Sequence, residues 1–97
     1  MVTVGLLATL QAKPGKAEAL ADMLKGAIEM AQEEQQTITW YAWQINETTF
    51  GIFDTFEDEA GRDAHLNGKI AAALMEYADE LLSEPPKIEK IDILAAK

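Results

Sequence analysis

The residues best suited to chemistry are the single histidine, His65, and one aspartate, Asp54. His65 is the only side chain whose ordinary pKa, about 6.5, allows it to move protons near neutral pH. Asp54 lies in the apolar run between Phe50 and Phe56, so a strand there turns a carboxylate towards an otherwise apolar face. A carboxylate in such a place can act as an acid, a base or a substrate anchor. We therefore predict His65 and Asp54 as catalytic residues.

Both residues also have plain structural interpretations. A histidine near a helix end can hydrogen-bond a carbonyl group or face solvent. Asp54 can accept hydrogen bonds from Thr39 or from a backbone amide and do nothing further. Residue types alone leave these alternatives open.

An aromatic hairpin accompanies the candidate acid. Residues 37–56 are rich in β-branched and aromatic side chains and predict two strands, with Asn46 and Glu47 at the polar break between them. An even-numbered loop at that break gives Asp54 four aromatic neighbours on its own face: Tyr41, Trp43, Phe50 and Phe56. Such a wall suits the stacking of a small aromatic substrate, although aromatic residues on strands also serve as core.

The remaining elements follow from hydrophobic periodicity and turn signals. We predict a strand over residues 2–12, a helix from 16 to about 34, the hairpin, a short helix from about 58 to 66, a helix capped by Asn67 that ends before Pro85, and a strand over 87–95. This β-α-β-β-α-β order predicts one α+β domain over residues 1–97, a ferredoxin-like sandwich with a four-stranded antiparallel sheet.

Such a sandwich covers one face of its sheet with helices and leaves the other face bare. With an even-numbered hairpin loop, the bare face carries Trp40 and Phe53, and an exposed apolar patch usually marks an interface. We therefore predict a homodimer through the sheet face that carries Trp40 and Phe53.

Composition excludes several classes of function. The chain has 97 residues, no cysteine and a net charge of −9, which disfavours binding to nucleic acid or to an anionic membrane and favours a cytoplasmic setting. One histidine with scattered carboxylates does not predict a metal site, and no glycine-rich phosphate loop is present. We expect no metal and no cofactor.

Three segments carry a family resemblance. They are Lys13-Pro14-Gly15-Lys16 at the start of the first helix, the aromatic second strand, and Ala64-His65-Leu66-Asn67-Gly68 between the last two helices. With this order of elements, the sequence resembles the antibiotic biosynthesis monooxygenase family of dimeric α/β barrels. The resemblance implies a pocket between sheet and helices. Members of the family include oxygenases that use neither metal nor flavin on quinol-like aromatics, haem-degrading enzymes, and proteins without known activity.

The departures from the family bear on activity. Haem-degrading relatives carry an asparagine, a tryptophan and a ligand histidine where this chain has Ala8, Phe56 and Met75, so haem degradation is not expected. Many relatives also have a second histidine where this chain has Ile70.

The sequence thus predicts a cofactor-independent monooxygenase acting on a small quinol or polycyclic phenol. In this hypothesis neutral His65 accepts the substrate proton, Asp54 orients the substrate, and the pocket is lined by Trp43, Tyr41 and Phe50. The alternative is a non-catalytic small-molecule-binding or interaction module of the same fold.

Overall fold

The computed structural model describes residues 1–97 as a four-stranded antiparallel sheet with helices packed on one face. Its elements are β1 Val4–Gln11, α1 Ala17–Gly26, α2 Ile28–Glu33, β2 Thr37–Gln44, β3 Thr49–Phe56, α3 Glu59–Leu66, α4 Lys69–Leu81 and β4 Lys87–Asp92. The strands lie in the order β2-β3-β1-β4. The predicted α+β ferredoxin-like architecture is confirmed.

Two helix predictions need correction. The helix expected from residue 16 to about 34 is interrupted at Ala27, whose backbone N–H contacts the carbonyl oxygens of both Met23 and Leu24 as the turn tightens. Asn67 does not cap α4. It ends α3, where its side-chain amide donates to the carbonyl oxygen of Asp63, and Gly68 takes the N-cap position. The two helices follow each other so closely that Asn67 is used by the first of them.

The hairpin loop has an odd number of residues, so the predicted pairing of β2 with β3 was wrong. The backbone N–H of Ile45 donates to the carbonyl oxygen of Thr49 at 3.0 Å, which leaves residues 46–48 as the loop. Asn46 stabilises this turn because its side-chain oxygen accepts from the backbone N–H groups of Thr48 and Thr49, at 3.0 and 2.8 Å.

This register exchanges the faces of β2. Trp40 pairs with Asp54 and packs against the core, so it does not share the bare face with Phe53. Tyr41 pairs with Phe53 and Trp43 with Gly51, which places both aromatic side chains on the bare face, opposite to Asp54. A one-residue change in loop length is sufficient for this exchange, since side chains alternate along a strand.

The main core lies between the sheet and the helices. Its fully buried members include Leu10 of β1 and Leu20 of α1, packed with Phe50 of β3. A smaller cluster of Val4, Leu6 and Phe56 lies towards α3. None of the helices has the length and apolar composition needed to span a bilayer.

Candidate active site

Helix α3 turns the histidine inward. Asp58 precedes the helix, and its side chain accepts the backbone N–H of Gly61 at 2.9 Å, which fixes the first turn. Gly61, Arg62 and His65 are then the buried residues of the helix, because positions i and i+4 share a face. The solvent-facing alternative for His65 is therefore wrong.

His65 lies between two carboxylates. Its Nε2 is 2.9 Å from Oδ2 of Asp54, and its Nδ1 is 2.6 Å from Oε1 of Glu34. The side chains of His65 and Asp54 are only 8% and 1% exposed, and that of Glu34 is 20% exposed. An imidazole ring donates from both nitrogens only when it is protonated, so two carboxylate partners favour the imidazolium.

Electrostatics agree with this geometry. Burial lowers the pKa of His65, but the hydrogen bonds and charges of Asp54 and Glu34 outweigh burial and raise this pKa from 6.5 to about 9. His65 is then protonated at neutral pH and has no free lone pair. The predicted role of a neutral base does not fit this arrangement.

Neither carboxylate oxygen of Asp54 has a partner in the chain with the geometry of a hydrogen bond, although Oδ2 lies within ion-pair distance of His65 Nε2. Oδ1 of Asp54 is buried and accepts no hydrogen bond from the chain. The hydrogen bond from Thr39, one of the structural alternatives for Asp54, is absent because the hydroxyl groups of Thr39 and Thr55 contact each other at 2.6 Å on the other face. A buried carboxylate oxygen without a donor is costly, so Oδ1 has the chemistry to accept a hydrogen bond from a ligand.

His65 separates two cavities. The outer cleft, about 470 Å³, lies between the end of α2 and the start of α4, and it is lined mostly by polar side chains that include Glu34 and Lys69. The inner pocket, about 50 Å³, lies between sheet and helices, and Asp54 and His65 are its only polar members. Its apolar lining comes from β1, β3, α3, α4 and β4: Leu6, Ala8, Ile52, Leu66, Ile70, Ala71, Leu74 and Ile88.

The structure brings together only part of the predicted site. His65 and Asp54 are in contact, whereas Trp43, Tyr41 and Phe50 line neither of the cavities that His65 lines. Trp43 and Phe50 instead border a separate hollow of about 120 Å³ beside α1. The stacking wall expected on the Asp54 face is missing because of the hairpin register.

The cluster is not arranged as a metal centre. The two carboxylates contact opposite nitrogens of the His65 ring, so their oxygens do not converge on one point. No group of His, Asp and Glu side chains is positioned to hold a metal ion.

Sequence reasoning missed two charged residues that face inward, Glu34 and Arg62. Glu34 follows an equally acidic Glu33, and nothing in the local pattern distinguishes them. Arg62 is 4% exposed and donates through Nη1 to the carbonyl oxygens of Gly5 and Ile91, at 3.3 and 3.4 Å. The helical spacing of Arg62 and His65, three residues apart, was the available signal that both could face inward.

No protein-family model matches the sequence, and the search of curated proteins also gives no match. Among solved structures, a protein of unknown function from Nitrosomonas europaea, NE2512, is 55% identical and has a TM-score of 0.98, with 100% of this chain and 94% of that chain covered. PA3566 from Pseudomonas aeruginosa is 25% identical, with a TM-score of 0.83 and coverages of 98% and 97%.

A second Nitrosomonas europaea structure, provisionally named an antibiotic biosynthesis monooxygenase, is 16% identical, with a TM-score of 0.84 and coverages of 95% and 99%. At that identity the similarity shows the fold alone. The chain therefore belongs to the same family as the Nitrosomonas europaea protein of unknown function, and its fold is that of the antibiotic biosynthesis monooxygenases.

Proposed function

We propose that the protein is a cofactor-independent monooxygenase that acts on a small quinol or phenol. One observation carries the proposal: an apolar pocket between sheet and helices ends at a buried Asp54–His65 ion pair, with Asp54 Oδ1 free to accept a proton. The fold shared with monooxygenase-named structures supports it.

The roles of the two residues follow from their charges. Asp54 Oδ1 accepts the hydroxyl proton of the substrate, which makes the substrate anion electron-rich enough to reduce dioxygen. The His65 imidazolium lies at the same end of the pocket and stabilises the negative charge that develops on the substrate and on oxygen. His65 thus acts as a fixed positive charge.

A phenol with a hydrogen on the carbon opposite its hydroxyl group shows the atom balance. After deprotonation, the phenolate passes one electron to dioxygen, and the phenoxyl and superoxide radicals combine at the opposite carbon. Asp54 returns its proton to form a hydroperoxide, and loss of water leaves a quinone. Phenol and dioxygen give quinone and water, with no further reductant.

The size of the pocket favours the smallest substrates in this class. A cavity of roughly 150 Å³ accommodates benzene, so the inner pocket of about 50 Å³ must widen even for one ring. Ile88 lines the pocket from the edge strand β4 and is 45% exposed, so displacing its side chain should require little free energy. A single-ring phenol fits this route better than a polycyclic one.

The bare face of the sheet supports a homodimer in this proposal. Tyr41, Trp43 and Phe53 lie there without a covering layer of helices. A second copy of the chain, placed face to face, would bury these aromatic side chains. The interface is thus centred on Tyr41, Trp43 and Phe53, with Trp40 on the opposite side.

Oxygen consumption tests the proposal. Metal-stripped protein is given a single-ring phenol with a hydrogen on the carbon opposite its hydroxyl group, and oxygen uptake is compared with spontaneous oxidation without protein. We expect uptake above that background, and a fall of about 10²- to 10⁴-fold in kcat for Asp54→Asn, because the proton acceptor is lost.

The matched control is Asp63→Asn, which removes the same charge from an exposed position on α3. It should turn over like wild type. The proposal is contradicted if wild type consumes oxygen no faster than the protein-free control, or if Asp54→Asn is as active as wild type.

A non-catalytic binding module remains the second candidate, because both nitrogens of His65 are engaged and the ring cannot accept a proton. This alternative predicts that phenols saturate a binding signal, such as tryptophan fluorescence, without any oxygen uptake.

A further inference from the structure

Glu34 reaches the active site from outside the pocket. It lies at the C-terminal end of α2, in the connection to β2, and its carboxylate lines the outer cleft while Oε1 contacts His65 Nδ1 at 2.6 Å. The His65 ring therefore lies between a residue of the outer cleft and Asp54.

Neighbouring groups hold this carboxylate in place. The Thr37 hydroxyl group donates to Oε1 of Glu34 at 2.8 Å. Gly68 leaves room for the second oxygen, because a Cβ atom at position 68 would lie 2.9 Å from Oε2. Two elements besides α2 thus fit around one rotamer of Glu34, as expected for a preorganised contact.

No other charged group near the ring contacts His65 Nδ1. Asp54 approaches from β3 and contacts Nε2 only. Arg62, on the same helix, directs its guanidinium to backbone carbonyls of β1 and β4 and to Glu59. Glu33 and Lys69 border the outer cleft and form no ion pair with His65. Glu34 is consequently the one charged partner of Nδ1.

We infer that Glu34 is a positioning residue: from the outer cleft it holds His65 protonated and aligned on Asp54, so that Asp54 Oδ1 is left facing the inner pocket. This inference rests on the proposed function. Glu34 does not line the inner pocket and acts only through His65.

The test compares Glu34→Gln with Glu33→Gln, which removes the same charge one residue earlier in the same cleft. The His65 ring is titrated by NMR, and the pH dependence of kcat is measured on the same proteins. We expect Glu34→Gln to lower the midpoint of His65 by at least about one pH unit, a tenfold change in its protonation constant. The alkaline limb of the pH profile of kcat should shift to lower pH by the same number of pH units.

Glu34→Asp should restore part of both shifts, and Glu33→Gln should leave both near wild type. An unchanged His65 midpoint in folded Glu34→Gln, or an equal shift in Glu33→Gln, overturns the inference. The NMR midpoint needs no turnover. A shifted midpoint in a protein without oxygen uptake therefore overturns the proposed oxygenase and keeps the control of His65 by Glu34.

Discussion

At the scale of single residues, the pairing of His65 makes its charge part of the stability of the fold. The pKa of His65 rises from 6.5 to about 9 on folding, so the folded state binds this proton more tightly than the unfolded chain. The resulting stability is fully present below pH 6.5 and is lost as the pH rises through about 9.

Urea unfolding at pH 6 and pH 9.5 measures this contribution. Wild type should lose about 2–3 kcal/mol more free energy of unfolding than His65→Gln over this interval, since one pKa unit corresponds to about 1.4 kcal/mol. His65→Gln, measured at the same two pH values, is the control for the pH dependence of all other groups. Parallel pH dependence of the two proteins would show that His65 does not hold an extra proton in the folded state.

The sequence predicted part of this cluster. His65 and Asp54 could be selected because one histidine and one carboxylate in an apolar strand are unusual residues in their settings. Glu34 could not be selected, since its contact with His65 joins residues 31 positions apart and depends on the path of the connection from α2 to β2. The charge of His65 was misjudged for the same reason.

At the scale of elements, order and type were predictable while one register was not. Hydrophobic periodicity identified β1 and the helical layer, and the β-branched and aromatic composition of residues 37–56 identified β2 and β3. The faces of β2 depended on whether the loop at Asn46 has an even or odd number of residues. The Asn46 side chain decides this through two short-range hydrogen bonds.

A substitution at Gly51 tests the register of β2 and β3. A Cβ atom at position 51 would lie 2.1 Å from Cζ2 of Trp43 and 2.4 Å from the carbonyl oxygen of Ala8. Gly51→Ala should therefore lower the free energy of unfolding by about 2–3 kcal/mol or more, because the indole ring and a backbone strand must both shift.

Gly26→Ala is the matched control, because a Cβ atom there meets nothing within 4 Å. In α1 it should be neutral or stabilise by up to about 1 kcal/mol. Chemical denaturation of the two variants distinguishes them. Equal stability of Gly51→Ala and wild type would mean that Trp43 does not lie over Gly51.

At the scale of the whole molecule, the uncovered sheet face is the surface through which we propose that the protein dimerises. Tyr41 is 59% exposed there, beside Phe53 and Trp43. A charge at position 41 should therefore have little effect on the folding stability of the isolated chain, but it should strongly destabilise an interface that buries it. Tyr77, 43% exposed on α4, offers the same substitution on the helical side.

Sedimentation equilibrium at micromolar concentration should give a dimer for wild type and for Tyr77→Lys, and a monomer for Tyr41→Lys. The comparison separates an effect of the sheet face from a general effect of added charge. A monomeric wild type, or a dimeric Tyr41→Lys, would contradict assembly through this face.

The central claim is that a buried imidazolium, held between Asp54 and Glu34, forms the polar end of the inner pocket. The NMR titration of wild-type His65 tests it most directly, because the chain has one histidine and its ring signals need no further assignment. A midpoint of about 9 is the predicted result. A midpoint near the ordinary value of about 6.5 would contradict the paired imidazolium and return His65 to the role of a neutral base.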